Sequence, residues 1–258
     1  MSARVLHYED RIVTAFTACS ILWAILGMTA GVYAAAELVW PELNLGLPWL
    51  TFGRLRTGHT NLVLFGFGVS ALIGTSFYSV QRTSHARLFA PRLAWFVFYA
   101  WQATIVLGAW SLLAGWNGGK EYAELEWPFD IAIAVAWVAY GVVFFGTIAR
   151  RTVGPIYISN WFYGSLIIVI AMLHIVNNLE LPVTLGKSYS LFAGAQDAIV
   201  QWFEFRHVGL LAKSLQQTCR RRTARNLSRS AHRVSAGTAD AFQRSSCCRL
   251  LVVSFTRR

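Results

Sequence analysis

The residues most able to do chemistry lie between Gly53 and Gly68, in the stretch GRLRTGHTNLVLFGFG. Arg54 and Arg56 close a predicted loop, and His59 follows at the mouth of an apolar run from Leu62 to Leu72 that carries Gly66 and Gly68. A neutral imidazole offers a ring-nitrogen lone pair to iron, and an ionisable residue at a membrane-type helix is a functional-site candidate by default. His59 is therefore expected to ligate a haem, against the alternative of a packed polar contact. Three-and-four spacing puts Val63, Gly66 and Ser70 on its face, where Gly66 is expected to let a flat macrocycle approach the backbone.

Two further groups qualify. The segment AGWNGGKEYAELEWPFD, residues 114–130, sets Glu121, Glu124, Glu126 and Asp130 close together. Carboxylates beside an anionic cofactor need a cation between them, and calcium accepts them in flexible geometry; without EF-hand spacing, a solvated acidic loop is the other reading. In LHIVNNLELP, His174, Asn177 and Asn178 fall within about one turn, placed to bond a cofactor edge or to cap a helix against a neighbour. Cys19, Cys219, Cys247 and Cys248 show neither zinc nor c-type haem spacing and read as inert thiols.

These residues need a membrane scaffold. The 258-residue chain is 55% hydrophobic and only 14% charged, with a mean hydropathy of +0.46, outside the range of soluble domains. Five stretches are long and apolar enough to span: Ile12–Ala36, His59–Val80, Leu93–Leu113, Ile131–Ala149 and Ile156–Val176. Helices are expected, because a chain in lipid must satisfy its own backbone hydrogen bonds. The first reads as an uncleaved helix, too long for a secretory h-region. Trp40, Trp49, Trp116 and Trp127 sit at predicted membrane edges as anchors. Arg4, Arg11, Arg82, Arg87, Arg92, Arg150 and Arg151 fall on one side, against Arg54, Arg56, Lys120 and Lys187 on the other. The positive-inside rule then makes the N-terminus cytoplasmic and brings His59 in from the outer side.

The net charge of +11 belongs to the tail alone. Residues 1–205 hold 11 basic and 11 acidic side chains, whereas 206–258 hold 12 basic and one acidic. A sixth segment opens at Ala193 with AGAQDAIVQWF and stops short, so the expected domains are a truncated transmembrane region, 1–203, and a basic tail, 204–258, disordered or non-native. The tail has no interleaved aromatics and no nucleic-acid-binding motif, so no nucleic-acid partner is expected.

WPELNLGLPWLTFGRLRTGHTN, FYSVQRT, LFAPRLA, KEYAELEWP, WVAYGVVFFGT, HIVNNLELPVT and KSYSLFAGAQDAIVQW together resemble the amino-terminal half of subunit I of cbb3-type cytochrome c oxidase, the C-family haem-copper oxidases. The likeness runs from about Ile12 to Trp202. It implies an all-α membrane protein, five transmembrane helices plus an aborted sixth, forming the amino-terminal part of a twelve-helix haem-copper oxidase fold. It makes His59 one axial ligand of a low-spin haem b and gives Arg54 and Arg56 to the haem propionates, where guanidinium forks suit carboxylates. Glu121 matches a carboxylate near a calcium ion that bridges to a propionate, with Glu124 in support. The implied enzyme is a proton-translocating cytochrome c oxidase of a bacterial inner membrane. It takes electrons from cytochrome c through c-type cytochrome subunits and reduces oxygen to water.

The likeness ends abruptly. Where the family has an aromatic-Gly-His-Asn pattern with a copper-ligating histidine, this chain reads Phe203, Glu204, Phe205, Arg206, His207. His207 is displaced by one residue, and copper ligation is not assigned to it. The copper ligands, the second haem b ligand and the high-spin haem b ligand would follow later. A truncated or frame-shifted reading is expected after Phe203, with Glu204-Phe205 encodable by GAATTC, and sequencing the natural gene there tests it. Alternatives are a nitric oxide reductase large subunit, or a haem-free transporter or structural membrane subunit.

Overall fold

Proline and glycine set the helix limits. Pro91 opens one helix at its first turn, where a missing N–H costs nothing, and Gly115, at φ +97°, closes it. The computed structural model describes residues 7–118, 120 and 123–191. Glu121, the segment from Ala193, His207 and the Arg-rich tail lie outside the described residues.

All five apolar stretches form helices long enough to cross a bilayer. They are α1 (Asp10–Glu37), a second span from Phe52 to Ser84, α4 (Pro91–Ala114), α5 (Trp127–Ala149) and α6 (Ile158–Asn177). The second span has three parts: α2 (Phe52–Asn61), a π-helical segment (Leu62–Val69) and α3 (Ser70–Ser84). The chain is a multi-pass membrane bundle, and its core is aromatic. Phe16, Phe77 and Tyr140 meet edge to face, with centroids 6.0 and 5.5 Å apart. Two buried polar groups of the core pair across helices, as lipid burial favours. The Tyr140 hydroxyl donates to Ser76 Oγ at 2.8 Å, and Trp137 Nε1 donates to Ile167 O at 2.9 Å.

The π segment departs from a continuous α-helix. Its i→i+5 ladder takes one more residue per loop than the α ladder, and neighbouring helices hold it. Trp101 Nε1 in α4 donates to Phe65 O, and Ser20 Oγ in α1 donates to Phe67 O, each at 3.2 Å. Gly66 lies under Trp23, whose Cβ and Cγ are 3.0 Å from where a glycine Cβ would stand. The sequence expectation that Gly66 admits a macrocycle is therefore corrected: an indole from α1 fills that space. Trp23 Nε1 in turn donates to Gln102 Oε1 at 2.6 Å. Trp101→Phe keeps a ring but leaves Phe65 O without its donor, and we expect a loss of about 1–3 kcal/mol, read by thermal unfolding of the solubilised complex.

At the rim carrying the N-terminus, Arg82 Nη2 donates to both carboxylate oxygens of Asp10, at 3.0 and 3.2 Å, and the guanidinium lies over Tyr78. Arg87 bonds Glu9 beside it. The opposite rim holds an element the all-helical expectation lacked, an antiparallel hairpin of β1 (Glu180–Thr184) and β2 (Lys187–Ser190) turning at Leu185-Gly186. Gly186 is needed because Trp116 covers it, with ring atoms 2.8 Å from a hypothetical Cβ. Trp127 Nε1 ties the turn down by donating to Thr184 O at 2.9 Å.

Candidate functional site

His59 stands inside α2, about two helical turns into the span. Arg54 and Arg56 share that helix, which corrects their assignment to the end of a loop. Two glycines one turn apart on α1 bring the helices close: a Cβ on Gly31 would lie 2.6 Å from His59 Nδ1 and Cε1, and one on Gly27 would lie 2.8 Å from Val63 Cγ2. The imidazole therefore lies against bare backbone. Nδ1 is 2.7 Å from Gly27 O. A carbonyl only accepts, so Nδ1 carries the hydrogen and the lone pair of a neutral ring sits on Nε2. Nε2 has no hydrogen-bond partner among the described residues. A metal-ligating histidine is oriented by this kind of second-nitrogen bond.

The arginines diverge, since residues two apart on a helix do not share a face. Arg54 Nη1 donates to Leu113 O at 2.8 Å, satisfying an end carbonyl of α4 and lying against Gly115, which has no room for a side chain. Arg56 is exposed.

The acidic segment is not the solvated loop that was one reading of it. Glu124 is 4% exposed, Glu126 2% and Asp130 8%. Asn61, two residues after His59, donates through Nδ2 to Glu124 Oε2 at 3.1 Å. The Ser188 hydroxyl lies 2.7 Å from Glu126 Oε2 and also bonds Glu180 Oε2. Burial pushes the Glu180 carboxyl up, as does the nearby Glu126 charge, against the Ser188 hydrogen bond and Lys120. A carboxyl raised in the folded state contributes stability that is full below its unfolded pKa and is lost as pH rises through the folded value. Amide exchange across 180–190, corrected for intrinsic rates, is therefore expected to show firmer protection on the acid side, and Glu180→Gln to flatten that dependence.

His174 and Asn178 are brought together, while the Asn177 carbonyl accepts from Lys120 Nζ at 2.8 Å. His174 Nε2 is 2.9 Å from Asp130 O, and Asn178 Nδ2 is 2.8 Å from His174 Nδ1. Sequence reading missed Gly27, Gly31 and Asn61. Gly27 and Gly31 form a small-xxx-small pattern, GMTAG, and Asn61 is a polar residue entering an apolar run, so both signals were present. Among the described residues, no three His, Cys, Asp or Glu side chains are arranged to hold a metal ion.

The family model described as Cytochrome C and Quinol oxidase polypeptide I matches residues 11–209. The chain belongs to that family. Among relatives of the oxidase polypeptide I family, the Cbb3-type cytochrome c oxidase subunit CcoN1 of Stutzerimonas stutzeri is 58% identical over 196 residues, 76% of this chain and 41% of that protein. Cytochrome c oxidase subunit 1 of Rhodobacter capsulatus is 52% identical over 202 residues, 76% of this chain and 38% of that protein. A subunit 1 homolog of Agrobacterium tumefaciens (strain T37) is 48% identical over 199 residues, 76% of this chain and 37% of that protein. The chain thus spans about two-fifths of the length of these curated relatives, as its amino-terminal part. Five helices long and apolar enough to cross a membrane agree with membership of the oxidase polypeptide I family.

Proposed function

We propose that this chain is the amino-terminal part of the catalytic subunit of a terminal respiratory oxidase that oxidises cytochrome c, reduces oxygen to water and moves protons across a bacterial inner membrane. The observation that supports this reading is the Nδ1 bond from His59 to Gly27 O, which leaves the Nε2 lone pair as the group that would hold the iron of a low-spin haem b. Such a haem supplies one-electron transfer when bound. The chain's part is to fix ligation, charge and dielectric around it.

Gly31 and Gly27 set the bearing of the imidazole by letting α1 press against it. Arg54, held on Leu113 O, and the exposed Arg56 are the basic groups for the propionates, reached from two sides of α2. Glu121 and the buried Glu124 are the carboxylates for a calcium ion on that side. The high-spin haem b and copper take their ligands from parts of the complete subunit beyond this chain. The partners are c-type cytochrome subunits and the lipid bilayer. The N-terminal rim, rich in arginine, faces the cytoplasm.

Turnover tests the reading. The full-length subunit in its complex is expected to consume oxygen with reduced cytochrome c, while this polypeptide alone consumes none. A complex that turns over nitric oxide and not oxygen would move the subunit to the reductase branch.

A further inference from the structure

Charge does not balance on the rim that carries the N-terminus. Among the described residues, Arg11, Arg82, Arg87, Arg92, Arg150 and Arg151 stand there against two acids, Glu9 and Asp10. Both acids are spent, Asp10 on Arg82 and Glu9 on Arg87. Arg151 Nη1 donates to Ile148 O, an end carbonyl of α5, at 3.3 Å. The exposed guanidinium groups of Arg92 and Arg150 have no acceptor among the described residues.

Phe89 gathers these two groups at one junction. Its ring rests on bare backbone at Gly146, where a Cβ would stand 2.6 Å from Cγ and Cδ1, and the Arg150 guanidinium lies over the same ring at 4.5 Å. Phe89 N donates to Thr147 Oγ1 at 3.0 Å, and Thr152 donates to Ser84 O and His85 O at 3.0 and 3.1 Å, so the loop before α4 is fastened to the end of α5. Arg92 follows in the first turn of α4. A guanidinium laid on a ring is held by its face and keeps its N–H edge for a ligand. From Arg92 an exposed apolar stripe runs along α4 through Phe96, Tyr99, Val106 and Trp110, at three- and four-residue steps or their sum. Helix contacts in a membrane favour small residues, as where Gly108 meets Leu125 on the buried side of α4. The stripe is made of large side chains, which suits acyl chains.

We propose that the junction of α4 and α5 binds an anionic phospholipid, its phosphate held by Arg92 and Arg150 and an acyl chain laid along the α4 stripe. Guanidinium forks match phosphate oxygens, and basic pockets between membrane helices take anionic headgroups. A zwitterionic headgroup carries its own cation beside the phosphate and leaves the excess of arginine unneutralised. A soluble anion would satisfy the arginines and leave the stripe unused. The site lies at the rim opposite His59 and does not depend on haem binding.

The test places the assembled full-length complex in nanodiscs of equal phosphatidylglycerol and phosphatidylcholine and counts, by native mass spectrometry, the lipids that stay bound when the disc is stripped. The parent is expected to keep phosphatidylglycerol in preference. Arg92→Gln or Arg150→Gln should cut that preference roughly fivefold, and the double variant roughly 30-fold. Lysine at both positions keeps the charge and is expected to restore much of the preference, which separates loss of binding from loss of assembly. Should the double glutamine variant fail to assemble, the single variants and the parent carry the test, the parent unfolding at higher temperature in phosphatidylglycerol than in phosphatidylcholine. Equal retention of the two lipids by the parent, or parental preference in the glutamine variants, would overturn the site. An equal rise in unfolding temperature from inorganic phosphate in detergent would make it a general anion site and overturn the lipid assignment as well.

Discussion

His59→Ala is expected to abolish the low-spin haem band in the reduced-minus-oxidised visible spectrum of the assembled complex and to bring oxygen consumption down to background. Alanine offers no lone pair, and among the described residues no other histidine lies along the α1–α2 contact that positions this one. The bundle itself should survive. His59 is only partly buried, and the helices around it are held by aromatic and polar contacts elsewhere, including Tyr140 with Ser76 and Trp101 with Phe65 O. Immunodetection of the subunit at parental level beside the lost band is the result that supports ligation. A band of unchanged height would return His59 to a packing role and favour the haem-free transporter or structural subunit.

Gly31→Ala is expected to come close to that effect without altering the histidine. The new methyl would stand 2.6 Å from Nδ1 and Cε1, far inside contact distance, and the group that can yield is the imidazole, the free end of a side chain. As the ring swings away, the Nδ1 bond to Gly27 O breaks and Nε2 loses its bearing. Losing the outer partner of a metal-ligating histidine costs roughly 10–100-fold in affinity or activity. Haem retained after purification should fall on that scale while subunit abundance holds. Gly27→Ala makes a useful contrast, because its methyl would press on Val63 Cγ2 and, at 3.2 Å, on the Val63 backbone nitrogen. That change strains the helix pair itself, so it should lower the unfolding temperature. A Gly31→Ala complex with parental haem content would show that the imidazole is not held in place from α1.

The spans were legible because runs of about 20 apolar residues have few other uses, and the structure starts and ends each within a few residues of the expected limits, the second span excepted. That span begins at Phe52, because the polar, Arg-containing stretch before His59 continues the helical backbone hydrogen bonds, which hydropathy does not see. The π segment left no trace in the sequence: Leu62–Val69 is apolar in either ladder, and the choice is made by Trp101, Ser20 and Trp23 on other helices. Burial of Glu124, Glu126 and Asp130 was invisible for a similar reason, because charge near a membrane edge reads as solvated until its partners, Asn61 and Ser188, arrive from distant positions. The hairpin was readable in retrospect. Its two-residue turn carries a glycine between stretches containing Val183, Thr184 and Tyr189, the composition of paired strands.

The ladder change between Leu62 and Val69 has a mechanical result for the whole second span. Because its pitch differs from that of the helix on either side, the half bearing the imidazole is clocked against the half that buries Phe77, like two shafts joined by an offset coupling. Each half can then be fitted to its own neighbours. Deleting one residue inside the coupling would let a single α ladder run through with the two halves still in their present phase, whereas forcing the full-length segment into that ladder would turn one half about 100° against the other.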